Sequence, residues 1–382
     1  MRTNFSAAIS SLFLSLTLVS AANGQNGGTW LTLAPMPSQR QELATAVLHG
    51  KIYVIGGYDA NGVSTNTVEV YNPNTDTWAS AHSIPLAVNH NSAAVATGKL
   101  YSFGGSGNQV FVYHPENDSW TPVAATNFPH NGTAAVGVIG DKIYVAGGND
   151  ISARELEVYD PVVNTWTTRA QMAVGRNHTG GGVIDGKFYV VGGRGAANSA
   201  TALEVYDPQA NAWATRAPMP TGRSGIGVAA VNGELWVFGG ELPILHGEVE
   251  AYNPTTNTWR SLPAMPTPRH GIWAAVIGNR VYIPGGGVVQ GFGASNINEV
   301  FIVDPEVEIP LEITAIELSG SNVLIKFRSQ RNHTYLVERK DDLLLPSWTP
   351  LSNSLPGTGG IVTVQDPNAG TLPQRFYRVR EL

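Results

Sequence analysis

Short apolar runs recur at a regular spacing along the chain, and each run ends in a pair of glycines. An aromatic residue lies three positions before each pair, and a turn signal such as Asn232-Gly233 precedes each run. Asn-Gly and Asp-Gly favour the positive backbone angles of a tight hairpin, so each unit is predicted to open with two antiparallel strands. The glycine pair ends the second strand, where a side chain would strain the turn. The six pairs begin at Gly56, Gly104, Gly147, Gly192, Gly239 and Gly285.

A third and a fourth strand follow in each unit. The third ends in a tyrosine followed by a polar residue and a proline, as in Tyr71-Asn72-Pro73, and proline stops the ladder there. Seven residues after each of these tyrosines comes a tryptophan that is predicted to lie on the fourth strand: Trp78, Trp120, Trp166, Trp213 and Trp259. Four antiparallel strands in a repeating unit are typical of one blade of a β-propeller.

The sixth unit lacks its last strand, and the start of the chain supplies one. The unit reaches Val303-Asp304-Pro305 without its tryptophan, whereas Trp30 begins a strand-like segment ahead of the first unit. We therefore predict an all-β, six-bladed propeller over residues 25–309, closed by an N-terminal strand that leaves no free edge.

The double glycine, the Tyr-Asn/Asp-Pro segment and the tryptophan at fixed offsets resemble the Kelch-repeat family, from about Trp30 to Pro305. The resemblance implies a propeller with a central channel, blade loops at two mouths, and a ligand at one mouth. It does not imply a single activity.

Composition narrows the classes of function. The chain has 382 residues and no cysteine, which excludes thiolate catalysis, disulfides and thiolate metal sites. A Kelch-like enzyme group, the copper radical oxidases typified by galactose oxidase, uses a tyrosine cross-linked to cysteine, so that chemistry is excluded as well. The net charge of −6, without a basic stripe, argues against nucleic acid as a partner.

The two ends of the chain differ from the repeats. Residues 1–24 are predicted to be a signal peptide, because Arg2 precedes an uncharged run from Ala7 to Ser20 and small residues follow. The mature protein is then expected to be secreted, periplasmic or at the cell surface, without a transmembrane segment, and monomeric. After a short linker at 306–310, residues 310–382 are predicted to form a small β-sandwich-like module that resembles those of exported bacterial proteins.

One column of the aligned repeats is rich in arginine. Sixteen residues before the glycine pairs lie Arg40, Val88, Asn131, Arg176, Arg223 and Arg269. Guanidinium groups suit carboxylates, sulfates and phosphates, so the column predicts an arginine-lined mouth that binds an acidic glycan or an acidic peptide. The alternative is that each arginine pairs with a loop carboxylate or carbonyl and holds the blades together.

Other candidate site residues follow the arginines. Glu42, His90 and His178 lie two positions further on, and they could serve in acid–base catalysis or hold a metal. The alternative, which we favour, is ordinary polar residues at a wet channel mouth, with no metal and no cofactor. Trp273 is the large residue in a column of small ones, and it either stacks on a ligand ring or fills the channel.

We predict from these features an exported Kelch-repeat binding protein rather than an enzyme. The alternative is a cofactor-free carbohydrate enzyme. The exported sialic-acid mutarotases are enzymes of that kind. The fold, the expected export and the arginines of this chain are compatible with them, but their catalytic residues are not matched here one by one.

Overall fold

The computed structural model describes residues 27–382, apart from 197, 304–310, 330–332, 343, 345, 359 and 373. The expected signal peptide (residues 1–24) and the expected linker (306–310) lie outside the described residues. In the described part of the chain, no helix is both long and apolar enough to cross a membrane.

Five blades are each built from four consecutive antiparallel strands, paired in chain order. Blade one consists of β2 (Ala44–Leu48), β3 (Lys51–Ile55), β4 (Val68–Asn72) and β5 (Thr77–Ala81). Blade two consists of β6 (Ser92–Ala96), β7 (Lys99–Phe103), β8 (Val110–His114) and β9 (Ser119–Val123), and blade three of β10 (Ala135–Ile139), β11 (Lys142–Ala146), β12 (Leu156–Asp160) and β13 (Thr165–Arg169).

Blade four adds a short pair, β14 (Arg176–Asn177) with β17 (Arg194–Gly195), to β15 (Gly180–Ile184), β16 (Lys187–Val191), β18 (Leu203–Asp207) and β19 (Ala212–Thr215). Blade five consists of β20 (Gly227–Val231), β21 (Glu234–Glu241), β22 (Leu245–Asn253) and β23 (Thr258–Leu262).

The sixth blade joins the two ends of the propeller. Its strands are β24 (Ala275–Ile277), β25 (Arg280–Pro284) and β26 (Asn298–Val303), and its outer strand is β1 (Gly28–Thr32). The register places Trp30 opposite Phe301. The predicted six-bladed fold with N-terminal closure is thus confirmed.

The repeated tryptophans and tyrosines hold blades and turns together. The indole Nε1 of Trp78 donates to Ala34 O (2.9 Å), and that of Trp120 donates to His82 O (2.8 Å), a carbonyl of the preceding blade. The Tyr71 hydroxyl donates to Asp76 in the turn that follows its strand (2.7 Å). A buried indole or phenol needs such a partner, which explains why the repeat keeps both residues at fixed offsets.

The C-terminal residues form two antiparallel sheets. The first contains β27 (Ile313–Ser319), β28 (Asn322–Arg328) and β32 (Ile361–Asp366), and the second contains β29 (Thr334–Lys340), β30 (Thr349–Pro350), β31 (Leu355–Pro356) and β33 (Phe376–Glu381). A single 3-10 turn (Ala369–Thr371) follows β32. Ile325 and Phe327 from the first sheet and Tyr335 and Val337 from the second share one buried cluster, as expected when two sheets pack face to face.

Candidate functional site

A closed ring of backbone hydrogen bonds surrounds one mouth of the channel. One residue from each blade contributes, at the point where the chain enters the innermost strand, and each has a positive φ. We call this ring the collar, and its residues are Glu42, His90, Thr133, His178, Gly225 and Gly271. Each N–H donates to a backbone carbonyl of the preceding blade over 2.6–3.0 Å. The acceptor is the collar residue of that blade in five cases, and for His178 it is Gly132, the neighbour of Thr133.

Three collar side chains converge although they come from different blades. His90 Nε2 lies 3.4 Å from Glu42 Oε2, and the rings of His90 and His178 lie 4.7 Å apart between centroids. Gly271 makes room for the carboxylate, because a Cβ at Gly271 would lie 2.7 Å from Glu42 Oε1. The sequence placed these residues in one column, and the structure brings their side chains together.

His270 and Glu241 extend the cluster on the side of blades five and six. His270 Nδ1 lies 3.5 Å from Glu42 Oε1 and 3.4 Å from Glu241 Oε1, and its Nε2 faces Val289 O at 3.0 Å. A carbonyl oxygen only accepts, so Nε2 carries a proton. Nδ1 faces two carboxylates, and this contact is attractive only when Nδ1 also carries a proton. Burial alone lowers the pKa of His270, but Glu42 and Glu241 together raise it.

The other members of the cluster respond to the same charges. Burial by itself raises the pKa of Glu42, but His90, His178 and His270 outweigh it and hold that pKa far below its usual range. Burial lowers the pKa of His178 to about 3, so this imidazole is neutral. Arg194 closes the cluster by an ion pair with Glu241.

Sequence reasoning missed His270, Glu241 and Arg194. Arg194 and Glu241 each stand directly after a glycine pair, at the collar-side end of the second strand of their blades. That shared offset was the available signal.

The structure places the four arginines of the column inside the blades and not at the mouth. Each is 0% exposed and forms an ion pair with a glutamate on the third strand of its own blade. Arg40 bonds to Glu69 (2.5 Å), Arg176 to Glu204 (2.9 Å), Arg269 to Glu299 (2.7 Å), and Arg223 to Glu250. The expectation that these arginines line the mouth is therefore corrected. Every one of the four guanidinium groups is buried and already paired with a carboxylate, so none is available to a ligand at the mouth.

Blades two and three replace the pair in different ways. Blade two has Val88 in the arginine column and Phe111 in place of the glutamate, and both belong to one apolar cluster. Blade three has Asn131 in the column, and its Glu157 instead accepts from the neighbouring His130 (3.2 Å). The glutamate lies two residues before the repeat tyrosine in blades one, three, four and five. Blade two lacks both this glutamate and the arginine, and that joint loss was a sign in the sequence that the two residues pair.

Trp273 lies within the channel. It belongs to blade six, yet it packs against the buried cluster of blades two and three, which includes Ala94, Ala134 and Val136. This position is that of a channel-filling residue, with the indole partly exposed.

The loops around the collar carry exposed apolar side chains. These loops join the second and third strands of the blades, and we call the surface that they form the collar face. Val289 is 57% exposed and Phe292 46% exposed on the blade-six loop. Gln41 and Glu241 bond to Gly291 and hold this loop over His270. The other exposed apolar residues of the collar face are Val63, Ile151, Leu242 and Ile244.

The fold and the collar define a six-bladed β-propeller with a polar cluster at one channel mouth. The sequence matches the family model described as the KLHDC2/KLHL20/DRC7 Kelch-repeats domain over residues 26–172, 107–286 and 182–339. The chain belongs to this Kelch-repeat family, whose repeats mediate protein interactions.

Similar proteins cover part of the chain. Kelch-like protein terF of Aspergillus terreus is 31% identical over 192 residues, which are 44% of this chain and 42% of that protein. Kelch-like protein 26 of Danio rerio is 29% identical over 177 residues, 43% of this chain and 29% of that protein. The chain thus spans less than half the length of these relatives. The solved structure titled "Structure of YjhT" shares the fold, with a TM-score of 0.61 at 16% identity, over 70% of this chain and 96% of that one.

Proposed function

We propose that this protein is a Kelch-repeat binding protein that holds an apolar segment of a partner protein on its collar face. The observation that carries the proposal is the position of the exposed apolar side chains. Six of the nine large apolar side chains exposed on the described propeller lie on collar-face loops, and only Leu31, Val162 and Val163 lie elsewhere. A concentration of exposed apolar side chains on one face is typical of protein interaction sites.

The charges of this face favour a neutral or basic partner segment over an acidic one. The four column arginines are buried in ion pairs, and Arg194 is paired with Glu241. Carboxylates remain on the loops, where Asp59 and Asp150 each cap their own loop backbone. The acidic ligand expected from the sequence thus loses the donors on which it depended, whereas the expectation of a protein or peptide partner keeps its support.

Selection from a random peptide library tests this proposal. We expect the selected peptides to contact the protein through apolar side chains and to be lost from the double variant Val289→Asp/Phe292→Asp. The matched control is Val162→Asp/Val163→Asp, on a turn of the opposite face, where the side chains are 84% and 61% exposed. Selected peptides that are acidic and released by salt, or that bind both variants equally, would contradict the proposal.

A second candidate is a cofactor-free carbohydrate enzyme, favoured by the contact between the Glu42 carboxylate and the imidazoles of His90 and His270. A carboxylate and imidazoles in contact at one mouth are the residue types that acid–base catalysis uses. Anomer exchange of reducing sugars, measured by NMR, tests it. Catalysis that is lost in Glu42→Gln would support an enzyme, and exchange at the uncatalysed rate over neutral and acidic sugars would exclude this activity.

A further inference from the structure

Three ligand atoms from three blades meet at the collar. A carboxylate oxygen of Glu42 and one nitrogen each of His90 and His178 all lie within 4.8 Å of one another. We propose that these residues form a binding site for a borderline divalent transition metal of the Zn²⁺ class. The sequence left a metal at these residues open but favoured ordinary polar residues at a wet channel mouth, and the proposal takes the first of these alternatives.

The separation between these groups fits metal ligation better than direct hydrogen bonding. His90 Nε2 and Glu42 Oε2 are 3.4 Å apart, beyond the 2.7–3.2 Å range usual for a hydrogen bond to nitrogen. Two ligands of a tetrahedral zinc ion with bonds of about 2.05 Å lie roughly 3.3 Å apart. All three ligand atoms lie within 4.8 Å of one another, so a movement of the His178 side chain towards the other two would place them around one such ion.

Each ligand is already oriented by a further polar group. The Nδ1 atoms of His90 and His178 face the side-chain oxygens of Asn89 and Asn177, the second at 2.9 Å. An amide oxygen accepts, so Nδ1 carries the proton and Nε2 keeps its lone pair for another partner.

The other carboxylate oxygen, Glu42 Oε1, lies 3.5 Å from His270 Nδ1, a charge contact longer than a hydrogen bond, and Oε2 is the oxygen nearer His90. Metal-binding imidazoles and carboxylates in proteins are held by such partners. The backbone bonds of the collar hold the main chain of all three residues in place before an ion arrives.

The ligand types select the metal. Two imidazoles and one carboxylate suit Zn²⁺, Co²⁺ or Ni²⁺, whereas Ca²⁺ and Mg²⁺ prefer all-oxygen sites. Three protein ligands leave at least one position for water or for a group of a bound partner. Glu42 and His178 are buried, and the side chain of His90 is 16% exposed, so the open position faces the mouth.

Zinc binding by the tag-free, chelator-stripped protein tests the proposal. After equilibrium dialysis against micromolar Zn²⁺, elemental analysis is expected to find about one zinc per chain. With Co²⁺ instead, the visible absorption of a four- or five-coordinate ion is expected. Glu42→Gln and His178→Gln should each weaken binding more than tenfold, while the exposed-histidine control His82→Gln binds as the parent does.

A variant that keeps all three ligands separates metal binding from folding. Asn177→Ala removes the partner of His178 Nδ1 and an exposed 3.4 Å bond from Asn177 Nδ2 to Asn149 O. It is expected to weaken zinc binding by about tenfold to a hundredfold, with the thermal midpoint of the metal-free protein little changed. The proposal is overturned if the parent takes up no zinc and gives no Co²⁺ absorption, or if the ligand variants bind zinc as tightly as His82→Gln does.

Discussion

The buried arginine–glutamate pairs permit a sharp test, because the chain itself contains an apolar version of the same pair. Blade four has Arg176 and Glu204 where blade two has Val88 and Phe111. The prediction concerns three variants: Arg176→Val, Glu204→Phe, and the double exchange that copies blade two into blade four. The summed size of the two side chains changes little in the exchange, so the core can stay filled.

The magnitude follows from the contacts. Arg176→Val leaves the carboxylate of Glu204, a residue only 1% exposed, without its cation. It also removes the hydrogen bond that Arg176 Nη1 donates to Ala202 O at 2.8 Å. Breaking a buried ion pair from one side costs about 3–5 kcal/mol, which lowers the Tm of a domain of this size by roughly 6–20 °C. Glu204→Phe strands the guanidinium and should cost a similar amount.

The double variant should lose less than either single variant. Its remaining cost is the loss of the bonds from the partly buried Ala173 and Val174 N–H groups to Glu204 and of the bond to Ala202 O, at most about 1–3 kcal/mol for each group left unpaired. Thermal unfolding followed by circular dichroism measures all three variants against the parent. Strictly additive losses, or a single variant within about 1 kcal/mol of the parent, would refute the assignment of the column to blade stability.

Three further predictions concern the channel, the collar and blade three. Trp273→Ala should lower the free energy of unfolding, measured with a chemical denaturant, by about 3 kcal/mol or less, since the indole fills the channel yet is partly exposed. An unchanged free energy would contradict the packing of Trp273 in the channel. Gly271→Ala should destabilise the fold more than Gly278→Ala does. Both glycines have φ near +60°, but only the Cβ at Gly271 meets an atom, Glu42 Oε1 at 2.7 Å; equal losses would show that the collar yields. Burial raises the pKa of Glu157, but its hydrogen bonds, led by that from His130, lower it overall. The carboxylate thus stabilises the fold above its unfolded pKa of about 4.5, and this part is lost as pH falls. The difference in unfolding free energy between the parent and Glu157→Gln should therefore shrink below that pH, and a constant difference would contradict the sign.

The repeats made the fold predictable from the sequence. Each repeated residue is tied to a local event, such as the turn after Tyr71 or the end of a strand at Gly56-Gly57, and the fixed offsets carry that event from blade to blade. Closure by Trp30 was also predictable, since the strand that the last unit lacks is present at the start of the chain.

The site was only partly predictable, because its members meet through the ring and not through the local sequence. Glu42, His90 and His178 share a column, but the column does not say which neighbours touch across the axis. The direction in which Arg40 and its equivalents point was likewise not given by their position. It depends on Glu69 and the equivalent glutamates, which lie on another strand of the same blade.

In the collar, the backbone groups hold the propeller together, whereas the side chains are free to act at its mouth. Its bonds use only backbone N–H and C=O groups, so glycine would serve at every position and would avoid the cost of about 1–2 kcal/mol that a side chain pays in the left-handed region. Blades five and six do use glycine, at Gly225 and Gly271. Glu42, His90 and His178 adopt the same backbone conformation with φ of 48–52° and therefore carry a cost that the fold does not require. Thr133 shares this conformation without joining the cluster, so the strain alone does not mark a site. Strain at three ionisable side chains that also meet one another is typical of a functional site, and we therefore assign binding chemistry to these residues and blade stability to the arginines.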